Sequence, residues 1–397
     1  MTSTTEANSE VKVYLPPRDV IEPAFAQNNI ALFFGCDNNF FAPAMTVVAS
    51  IMEHASPENN YDIFIVQEQV PPERLARAVE WMRQFPNASL RFIDVRVMLA
   101  MADSERFLVT RHFNVTVYFR IFAPRIFAKY SRIAYLDSDI AVLADIADFY
   151  RQDMEGKLVA ACHDFATEEQ ARLNPVLGEH WRTQLGKEPG EDYFLSGGVV
   201  MDLAGMRRER TQDQFLAKMR DLKGSALPDQ DVMNAVLRGK VKFLSCEWNY
   251  LDWMADPLEE SLNFKAIGEA DLEKVRKARG SFKVMHFTER KPWTPDYMGK
   301  NDSYFWKYAV KTPFYQDLLA DLGKQLTVPK TLLRYLRLLL QTWNFRLRSL
   351  VCPQGRKQKY AARLFNLKMR KRGVIRQFRR ARRGVDASDD LPPEWNA

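Results

Sequence analysis

Short apolar runs alternate with helical patterns from residue 30 onward, and this alternation limits the fold more than any other feature of the chain. Residues 30–34, 61–66 and 90–95 have the length and apolar content of buried strands. Residues 43–54 and 72–84, which lie between them, carry apolar side chains at helical spacing. Strands that alternate with helices form right-handed βαβ units. The pattern therefore predicts an α/β fold in which helices cover both faces of a parallel sheet.

The same alternation continues to about residue 322. It predicts further strands at residues 132–136, 158–162, 198–202, 241–244 and 283–287, and helices at residues 206–222, 229–237 and 304–322. Residues 1–28 are polar and contain prolines, which predicts a loose leader. The predicted organisation is thus a leader (1–28), one domain (29–322) and a C-terminal tail (323–397).

The 397 residues carry 57 Lys and Arg against 50 Asp and Glu, but these charges are unevenly distributed. Residues 323–385 hold 19 basic residues and no acidic residue, whereas residues 1–322 hold 38 basic and 46 acidic residues. Residues 330–351 and 361–383 also place leucines and aromatics at helical spacing among the cations. A helix with an apolar face and a cationic face is typical of contact with an anionic membrane surface, so the tail predicts peripheral membrane association.

Two other interpretations of the tail remain open, namely a helix packed on the body with a solvated basic face, and a nucleic-acid contact. The acidic body and the lack of a recognisable recognition module in the sequence favour no nucleic-acid partner. The four cysteines form no CxxC pair, the N-terminal residues lack the pattern of a secretory signal, and no apolar run approaches about 18 residues. These features predict a cytoplasmic protein held at the inner face of the membrane.

Polar side chains follow the predicted strands at the points where ligands bind in open α/β sheets. Asp37 and Asn39 come directly after the first strand, Asp137 and Asp139 follow a later one, and His286 lies within the last. Two carboxylates at positions i and i+2 together with an imidazole suit Mn²⁺ or Mg²⁺, with coordination positions left open for phosphate oxygens. The sequence therefore predicts a divalent metal site that holds a diphosphate.

Each of these features also has a plainer interpretation when it is taken alone. Two aspartates separated by one residue, as at Asp137 and Asp139, also occur by chance in a chain of this composition, and such a pair often caps a helix or a turn. A single histidine such as His286 after an apolar strand is more often structural than a ligand. Lys291 would supply a second cation for a leaving diphosphate. The joint placement of these residues in a longer pattern decides between the interpretations.

That longer pattern is carried by six segments in a fixed order: ALFFGCDNNFFAPAMTVVASIMEH, YFRIFAP, RIAYLDSDIAVLADI, YFLSGGVVMDL, LPDQDVMNAVL and HFTERKPW. Together they resemble glycosyltransferase family 8, which includes bacterial lipopolysaccharide galactosyl- and glucosyltransferases and glycogenin. The resemblance covers about residues 30–314. It implies a GT-A fold (a Rossmann-like nucleotide-binding fold), a UDP-hexose donor, a divalent metal that is usually manganese, and retention of the anomeric configuration.

The resemblance implies a nucleotide site when it is carried over residue by residue. Asp37 and Asn39 match the family residues that bind the uridine. Lys291 matches the residue that touches the diphosphate. Gly35 and Ser138, which adjoin these motifs, complete the predicted nucleotide-binding set.

The resemblance also implies a metal site. Asp137 and Asp139 match the metal-binding DxD pair, and His286 matches the third metal ligand. Asp137 also lies near the ribose in the family, so it belongs to the nucleotide-binding set as well.

Three further residues match the catalytic region of the family. Arg120 matches an arginine that contacts the donor sugar, and Asp229 and Gln230 match an acid–amide pair at the reacting face of the hexose. Because a neutral amide is a poor nucleophile, the resemblance favours a front-face reaction through an oxocarbenium-like ion pair. The share of the enzyme in such a reaction is positioning and charge stabilisation.

The chain departs from the family pattern at two residues and in one spacing. Leu195 stands where the family has an asparagine that bonds the donor sugar, and Glu289 stands where a glycine approaches the diphosphate. The interval from His286 to Lys291 is one residue shorter than in the commonest version of the motif. These departures bear on the identity of the donor and on catalytic strength.

The sequence thus predicts a retaining, metal-dependent hexosyltransferase that moves galactose or glucose from a UDP-sugar to a glycan or glycolipid acceptor. The acceptor expected from the resemblance is lipopolysaccharide or another surface polysaccharide. Leu195 and Glu289 motivate the alternative of a catalytically weak sugar-nucleotide or glycan-binding protein on the same fold.

Overall fold

A computed structural model describes residues 11–16, 18–94, 96, 115–255, 267–288, 290–297, 301–326 and 328–350, together with eight residues between 364 and 378. Eight strands form one sheet in the order β1-β4-β3-β2-β5-β8-β7-β9. Their bounds are Val13–Tyr14 (β1), Asn29–Asp37 (β2), Asn60–Glu68 (β3), Ala88–Asp94 (β4), Arg132–Leu136 (β5), Val159–His163 (β7), Phe194–Asp202 (β8) and Val241–Leu244 (β9).

Helices cover both faces of this sheet, as the sequence predicts. Along the central strand β2, Ile30, Leu32 and Phe34 belong to one hydrophobic cluster, whereas Ala31 and Phe33 belong to the other. All five are essentially inaccessible to solvent. A strand buried on both faces needs a continuous apolar run, which is why no alternation of polar residues appears in this segment.

The prediction that the sheet is parallel is wrong for one strand. β8 runs antiparallel to both of its neighbours, β5 and β7, whereas the other paired strands of the sheet are parallel. The segment between β7 and β8 leaves the sheet and returns to it at the same end of the strands, where Asp164 N–H donates to the carbonyl of Tyr193 at 2.8 Å. A connection that returns at the end where it started reverses the direction of the next strand.

A second, three-stranded sheet contains the strand predicted near residue 285. Its order is β10-β11-β6, and its strands are Ile140–Val142 (β6), Tyr250–Leu251 (β10) and Val284–His286 (β11). β6, which the sequence analysis does not predict, pairs antiparallel with β11, and His286 lies opposite Ile140. This pairing brings His286 next to the segment that carries Asp137 and Asp139.

The predicted helices are present, with two breaks. The predicted helix at 206–222 is interrupted at Arg210, whose φ is 53°, and the one at 304–322 is interrupted around Pro313. The α-helices are Phe41–Glu53 (α1), Pro72–Met82 (α2), Ala123–Ile126 (α3), Ile146–Tyr150 (α4), Phe165–Leu173 (α5), Pro175–His180 (α6), Leu203–Arg208 (α7), Thr211–Asp221 (α8), Pro228–Val236 (α9), Glu269–Ala278 (α10), Ser303–Ala309 (α11), Tyr315–Gln325 (α12) and Val328–Leu350 (α13). Among the described residues, the structure thus adds five α-helices that were not predicted, namely α3 to α6 and α10.

The two ends of the predicted domain differ in detail from the sequence-based division. In the leader, β1 pairs with β4 at the edge of the sheet and Ile21 is 2% exposed, so residues 1–28 are not loose throughout. At the other end, α12 continues to Gln325 and Leu326 is buried. The boundary predicted after residue 322 therefore falls inside a helix.

The tail begins with the long helix α13, which contacts the body. Arg334 on α13 donates to the carbonyl of Pro295 at 3.1 Å, and the buried Gln377 donates to the carbonyl of Pro292 at 3.0 Å. Within the residues that the structure describes, no helix combines the length and apolar character needed to cross a bilayer.

Candidate functional site

A cleft of about 660 Å³ opens where the first strands of the main sheet end. Asp37 is the last residue of β2, Asp137 and Asp139 lie in the short connection from β5 to β6, and His286 is the last residue of β11. All four line the cleft. The carboxyl ends of neighbouring strands meet at one edge of the sheet, which is why residues far apart in sequence converge here.

The three predicted metal ligands lie together. Their candidate ligand atoms are all within 4.8 Å of one another. His286 Nε2 is 3.2 Å from Asp139 Oδ1 and 3.7 Å from Asp137 Oδ2. His286 and Asp139 are buried, and Asp137 is partly exposed to the cleft.

The orientation of His286 suits metal binding. Its Nδ1 lies 2.7 Å from Asn249 Oδ1, a buried amide oxygen that can only accept a hydrogen bond. With the proton on Nδ1, the lone pair of Nε2 faces the two carboxylates, and a partner of this kind on the distal nitrogen is usual for metal-binding histidines. Asp139 Oδ1 is buried and accepts no hydrogen bond from the described residues. An orphaned carboxylate oxygen that faces an imidazole lone pair fits a bound divalent cation.

Gly197 on β8 makes room for this arrangement. A Cβ atom at this position would lie 2.4 Å from Asp137 Oδ2 and 2.5 Å from His286 Cε1, closer than side chains can approach. The backbone of Gly197 also accepts a hydrogen bond from Asp137 N at 2.8 Å. A glycine in the SGG motif is therefore required by the close approach of Asp137 and His286.

Lys291 lies at the same end of the cleft. Its ammonium contacts Asp139 Oδ2 and donates to the carbonyls of Phe287 and Thr288 at 2.6 and 2.9 Å. Burial alone would raise the pKa of Asp139, but the ammonium of Lys291 beside it is the largest opposing effect, and this pKa stays well below its ordinary value. Asp139 is therefore an anion, the state in which a carboxylate can bind a metal.

Arg120 lies beside Asp137, one of the three candidate metal ligands, and is 3% exposed. Its guanidinium donates to Asp137 Oδ1 at 2.9 Å and to the carbonyl of Ser196 at 2.6 Å, and it lies 3.4 Å from Asp229 Oδ2. Tyr135 donates to the same Asp137 Oδ1 at 2.6 Å. Burial would lower the pKa of Arg120, but the carboxylates of Asp137 and Asp229 raise it above its ordinary value. The arginine thus links the metal end of the cleft to the acid–amide pair.

The acid–amide pair lies at the start of α9 and is held by its neighbours. Gln230 Oε1 accepts from Ser196 N at 3.0 Å, and Gln230 Nε2 donates to Asp164 Oδ2 at 3.0 Å. Ser196 Oγ donates to Asp229 Oδ2 at 3.1 Å. Burial raises the pKa of both Asp164 and Asp229. Two carboxyl groups and one amide therefore face a cleft in which their orientation is fixed before any ligand binds.

Three further residues predicted to hold the nucleotide, Gly35, Asp37 and Ser138, also line the cleft, and Ser138 lies between Asp137 and Asp139 in the chain. Ser138 Oγ donates to the carbonyl of Gly35 at 3.0 Å, and Asp37 Oδ1 accepts from the backbone of Asn39 and Phe40 at 2.9 Å each. Asn39 is exposed beside Asp37 and is not part of the cleft lining. The structure thus brings together all the predicted site residues except Asn39.

The two departures from the family pattern have different outcomes. Leu195 is 7% exposed and lines the cleft next to Ser196 and Gln230, so an apolar side chain faces the region of the acid–amide pair. Glu289 lies outside the described residues.

Several residues of the site are not identified by the sequence analysis. Asp164 has a local signal, because it caps α5 by accepting from Thr167 N, but a helix cap does not indicate a contact with Gln230. Ser196 and Tyr135 lie within segments that carry the family resemblance, but the sequence does not assign them a contact in the site. Asn249 lies outside those segments, and its role comes from the pairing of β10 with β11, which places it beside His286.

The model of glycosyl transferase family 8 matches residues 31–296, which is about two thirds of the chain and contains all the site residues described above. The chain belongs to glycosyltransferase family 8. This family 8 chain is similar to General stress protein A of Bacillus subtilis (strain 168), with 23% identity over 263 residues that cover 65% of the chain and 85% of the relative. It is also similar to a lipopolysaccharide 1,2-glucosyltransferase of Escherichia coli (strain K12), with 25% identity over 58% of the chain and 64% of the relative.

Solved structures confirm the GT-A fold. The family 8 chain superposes on the bifunctional glycosyltransferase WbbM with a TM-score of 0.66 and 26% identity, over 75% of the chain and 52% of WbbM. It superposes on the galactosyltransferase LgtC, solved with donor and acceptor sugar analogues, with a TM-score of 0.58 and 21% identity, over 72% of the chain and 96% of LgtC. The chain spans only about half of WbbM and less than two thirds of the Escherichia coli relative.

Proposed function

We propose that this chain is a retaining, divalent-metal-dependent hexosyltransferase that moves galactose or glucose from a UDP-sugar to a glycan acceptor. The observation that carries the proposal is the convergence of Asp137, Asp139 and His286, with a buried Asp139 oxygen that accepts no hydrogen bond from the described residues. The relatives named as lipopolysaccharide glucosyltransferase and galactosyltransferase support a hexose donor and a lipopolysaccharide or other surface polysaccharide acceptor.

Asp137, Asp139 and His286 would hold Mn²⁺ or Mg²⁺, which would act as a Lewis acid for the charge on a departing diphosphate. Lys291 lies beside Asp139 and would give the diphosphate a second positive partner. Asp37 and Ser138, which also line the cleft, would position the nucleoside.

The chain's own residues would orient the hexose for a front-face reaction. Gln230 is held at both ends of its amide, by Ser196 and by Asp164, so it can contact the sugar without reorganising. Arg120 neutralises Asp137 and Asp229 and keeps them in place. The departing phosphate oxygen would take the proton of the acceptor hydroxyl on the same face, as C1 passes through an oxocarbenium-like state and retains its configuration.

The test measures UDP release from UDP-galactose and UDP-glucose by the full chain, with Mn²⁺ and without it. We expect metal-dependent release that Asp139→Asn abolishes and that Asp213→Asn leaves unchanged. Asp213 is a matched control because it is exposed on α8 and pairs with Arg210 outside the cleft. The anomeric configuration of the transferred hexose, measured by NMR coupling constants, tests retention, and an inverted product contradicts it.

A second candidate function is that of a catalytically weak sugar-nucleotide or glycan-binding protein, favoured by the apolar Leu195 in the cleft. An apolar side chain cannot replace the sugar contact of an amide, which weakens positioning. Saturable UDP-sugar binding without UDP release, in the presence of any of several glycan acceptors, supports this binder. Leu195→Asn should then raise the rate of release.

We also propose that the tail holds the enzyme peripherally on the inner face of the cytoplasmic membrane. The support comes from α13, where seven large apolar side chains are 39–67% exposed: Leu332, Leu333, Leu336, Leu339, Leu340, Trp343 and Leu347. Exposed apolar side chains next to arginines match the character of an interfacial helix.

Substitutions on α13 test this contact better than truncation, because a cut after residue 322 would also remove the buried Leu326. We expect Leu336→Gln combined with Leu340→Gln to release the protein from anionic vesicles without changing UDP-sugar binding. The control is Leu173→Gln with Val176→Gln, which removes two exposed apolar side chains outside the tail. Equal vesicle binding by all three proteins contradicts the membrane contact.

A further inference from the structure

A second cavity lies between α13 and the described residues near the C-terminus. It has a volume of about 380 Å³ and is lined by Thr342, Arg346, Leu364, Lys368 and Lys371. Three of these five residues are cations and none is acidic. The cavity shares no lining residue with the catalytic cleft.

Packing between two parts of the tail creates this cavity. Leu338 of α13 forms a small hydrophobic cluster with Leu367 and Val374, and Phe345 packs against it. All three cluster residues are at most 8% exposed. This contact therefore brings Arg346 of α13 and two lysines near the C-terminus, Lys368 and Lys371, around the same cavity.

The cavity lies in a strongly basic stretch of the chain, and acidic residues follow only from Asp386 onward. Residues 323–385 contain 19 Lys and Arg and no Asp or Glu. Cations that line a concave, partly apolar space focus a positive potential there, which attracts an anion. Thr342 also lines the cavity, but its hydroxyl already donates to the carbonyl of Leu338 at 2.6 Å, so it has no further proton to donate to an anion.

The place of the cavity on α13 indicates which anion it takes. Successive residues of an α-helix are about 100° apart. On this geometry Leu332, Leu336, Trp343 and Leu347 form one exposed stripe, and the buried Leu338 faces away from it. Arg346 projects between the two, at the border of the stripe. An anion in the cavity would thus lie directly beside apolar side chains that are open to solvent.

We propose that this cavity binds the phosphate group of an anionic lipid headgroup, with the acyl chains along the exposed stripe of α13. Arg346, Lys368 and Lys371 would contact the phosphate oxygens, since cationic side chains on several sides suit a phosphate group. A volume of this size is at the lower end of small-molecule sites and accommodates a phosphate with its glycerol. The inference rests on the proposed membrane contact of the tail, but not on the donor sugar or the reaction.

The test compares two full-length triple variants that lose the same charge. The cavity variant carries Arg346→Gln, Lys368→Gln and Lys371→Gln, and the surface variant carries Lys330→Gln, Arg337→Gln and Arg348→Gln. The three residues of the surface variant are exposed on α13 and do not line the cavity. Binding is measured by flotation with phosphatidylcholine vesicles that contain phosphatidylglycerol, and with vesicles of phosphatidylcholine alone.

We expect the cavity variant to bind the phosphatidylglycerol vesicles about tenfold more weakly than the surface variant. Both variants lose the same electrostatic attraction to the anionic surface, but only the cavity variant also loses the contacts with the lipid headgroup. An equal loss in both variants means that charge alone drives binding, and it overturns the proposal. The proposal is also overturned if the cavity variant loses as much binding to vesicles of pure phosphatidylcholine as to vesicles that contain phosphatidylglycerol. Because the triple cavity variant could perturb the packing of the tail, Lys368→Gln is compared with Lys330→Gln as single changes of exposed side chains, with the same order expected.

Two competition arms separate the sources of phosphate. A short-chain phosphatidylglycerol should displace the wild-type protein from vesicles, whereas inorganic phosphate at the same concentration should not. Displacement by both to the same extent assigns the cavity to free phosphate and contradicts a lipid site. Loss of duplex DNA binding in the cavity variant, with unchanged vesicle binding, contradicts it in favour of a nucleic-acid backbone.

Discussion

Gly197→Ala should disable the metal site while the fold stays intact. The new Cβ atom would lie 2.4 Å from Asp137 Oδ2 and 2.5 Å from His286 Cε1, whereas an ordinary contact begins near 3.4 Å. Both side chains would have to move by about 1 Å. Asp137 cannot rotate freely, because Arg120 and Tyr135 hold its other oxygen at 2.9 and 2.6 Å.

The expected magnitude follows from this displacement. Disturbing the groups that orient metal ligands typically lowers metal affinity by about 10- to 100-fold, which corresponds to about 1.4 to 2.7 kcal/mol. A reacting group misplaced by about 1 Å can lower turnover by about 100-fold. Alanine itself is well tolerated by the backbone here, since Gly197 is not among the residues with positive φ, and overpacking would cost about 1 to 3 kcal/mol of stability.

Manganese affinity, measured by calorimetric titration, and UDP release are the two readouts, with thermal unfolding as the check on the fold. Gly280→Ala is the matched control because its Cβ would meet nothing within 4 Å. Gly198→Ala should have an intermediate effect, since its Cβ would lie 3.2 Å from Asn249 Nδ2 and would press on the partner of His286. A Gly197→Ala protein with wild-type manganese affinity and wild-type UDP release would refute the placement of the cation between Asp137 and His286.

Three other predictions follow from the buried polar groups of the site. Asn249→Ala removes the acceptor of His286 Nδ1 and should weaken manganese binding by about 10- to 100-fold in the same titration, and Asn249→Asp should lose less because it keeps an acceptor oxygen. Arg120→Met leaves Asp137 and the buried Asp229 without their cation, so it should lower the free energy of unfolding, measured in urea, by about 3 to 5 kcal/mol. Arg120→Lys keeps the positive charge and should change the free energy of unfolding little if the charge alone matters. Burial raises the pKa of Asp164, so the folded state keeps a proton that the unfolded chain loses first as pH rises. The free energy of unfolding of the wild type should therefore fall, relative to that of Asp164→Asn, as pH rises from the ordinary pKa of this carboxyl through its raised value; a constant difference between the two proteins contradicts this.

The strands and helices were the most predictable part of the structure. β5 and β9 have the predicted bounds, at residues 132–136 and 241–244, because each is a short stretch with few polar residues and no competing helical pattern, although only β5 is largely buried. The direction of β8 was not predictable in the same way. Its residues would be equally buried in either direction, and the direction is set by where the long connection from β7 returns.

In the candidate site, too, some residues could be predicted from local sequence and others could not. Asp137, Asp139 and His286 were predicted because they follow strands and belong to a pattern that resembles a family. Asn249 holds His286 and Asp164 holds Gln230, but neither belongs to such a pattern. A single amide or carboxylate in a sequence can have many roles, so these two were not predicted. Their roles depend on contacts between segments that are 37 and 66 residues apart.

Two hydrogen bonds of the tail reach the segment of the chain next to the cleft. Arg334 and Gln377 bind the carbonyls of Pro295 and Pro292, and these prolines lie in the same short segment as Lys291, whose ammonium contacts Asp139. An element that carries the proposed membrane contact thus holds the segment that would supply a cation to the leaving diphosphate. A membrane contact of α13 should restrain this segment further and lower the KM for the UDP-sugar. The Gln377→Ala protein has lost one contact that holds the segment, so it should have a higher KM without vesicles and a smaller decrease in KM when vesicles are added; a wild-type KM in both conditions contradicts this link.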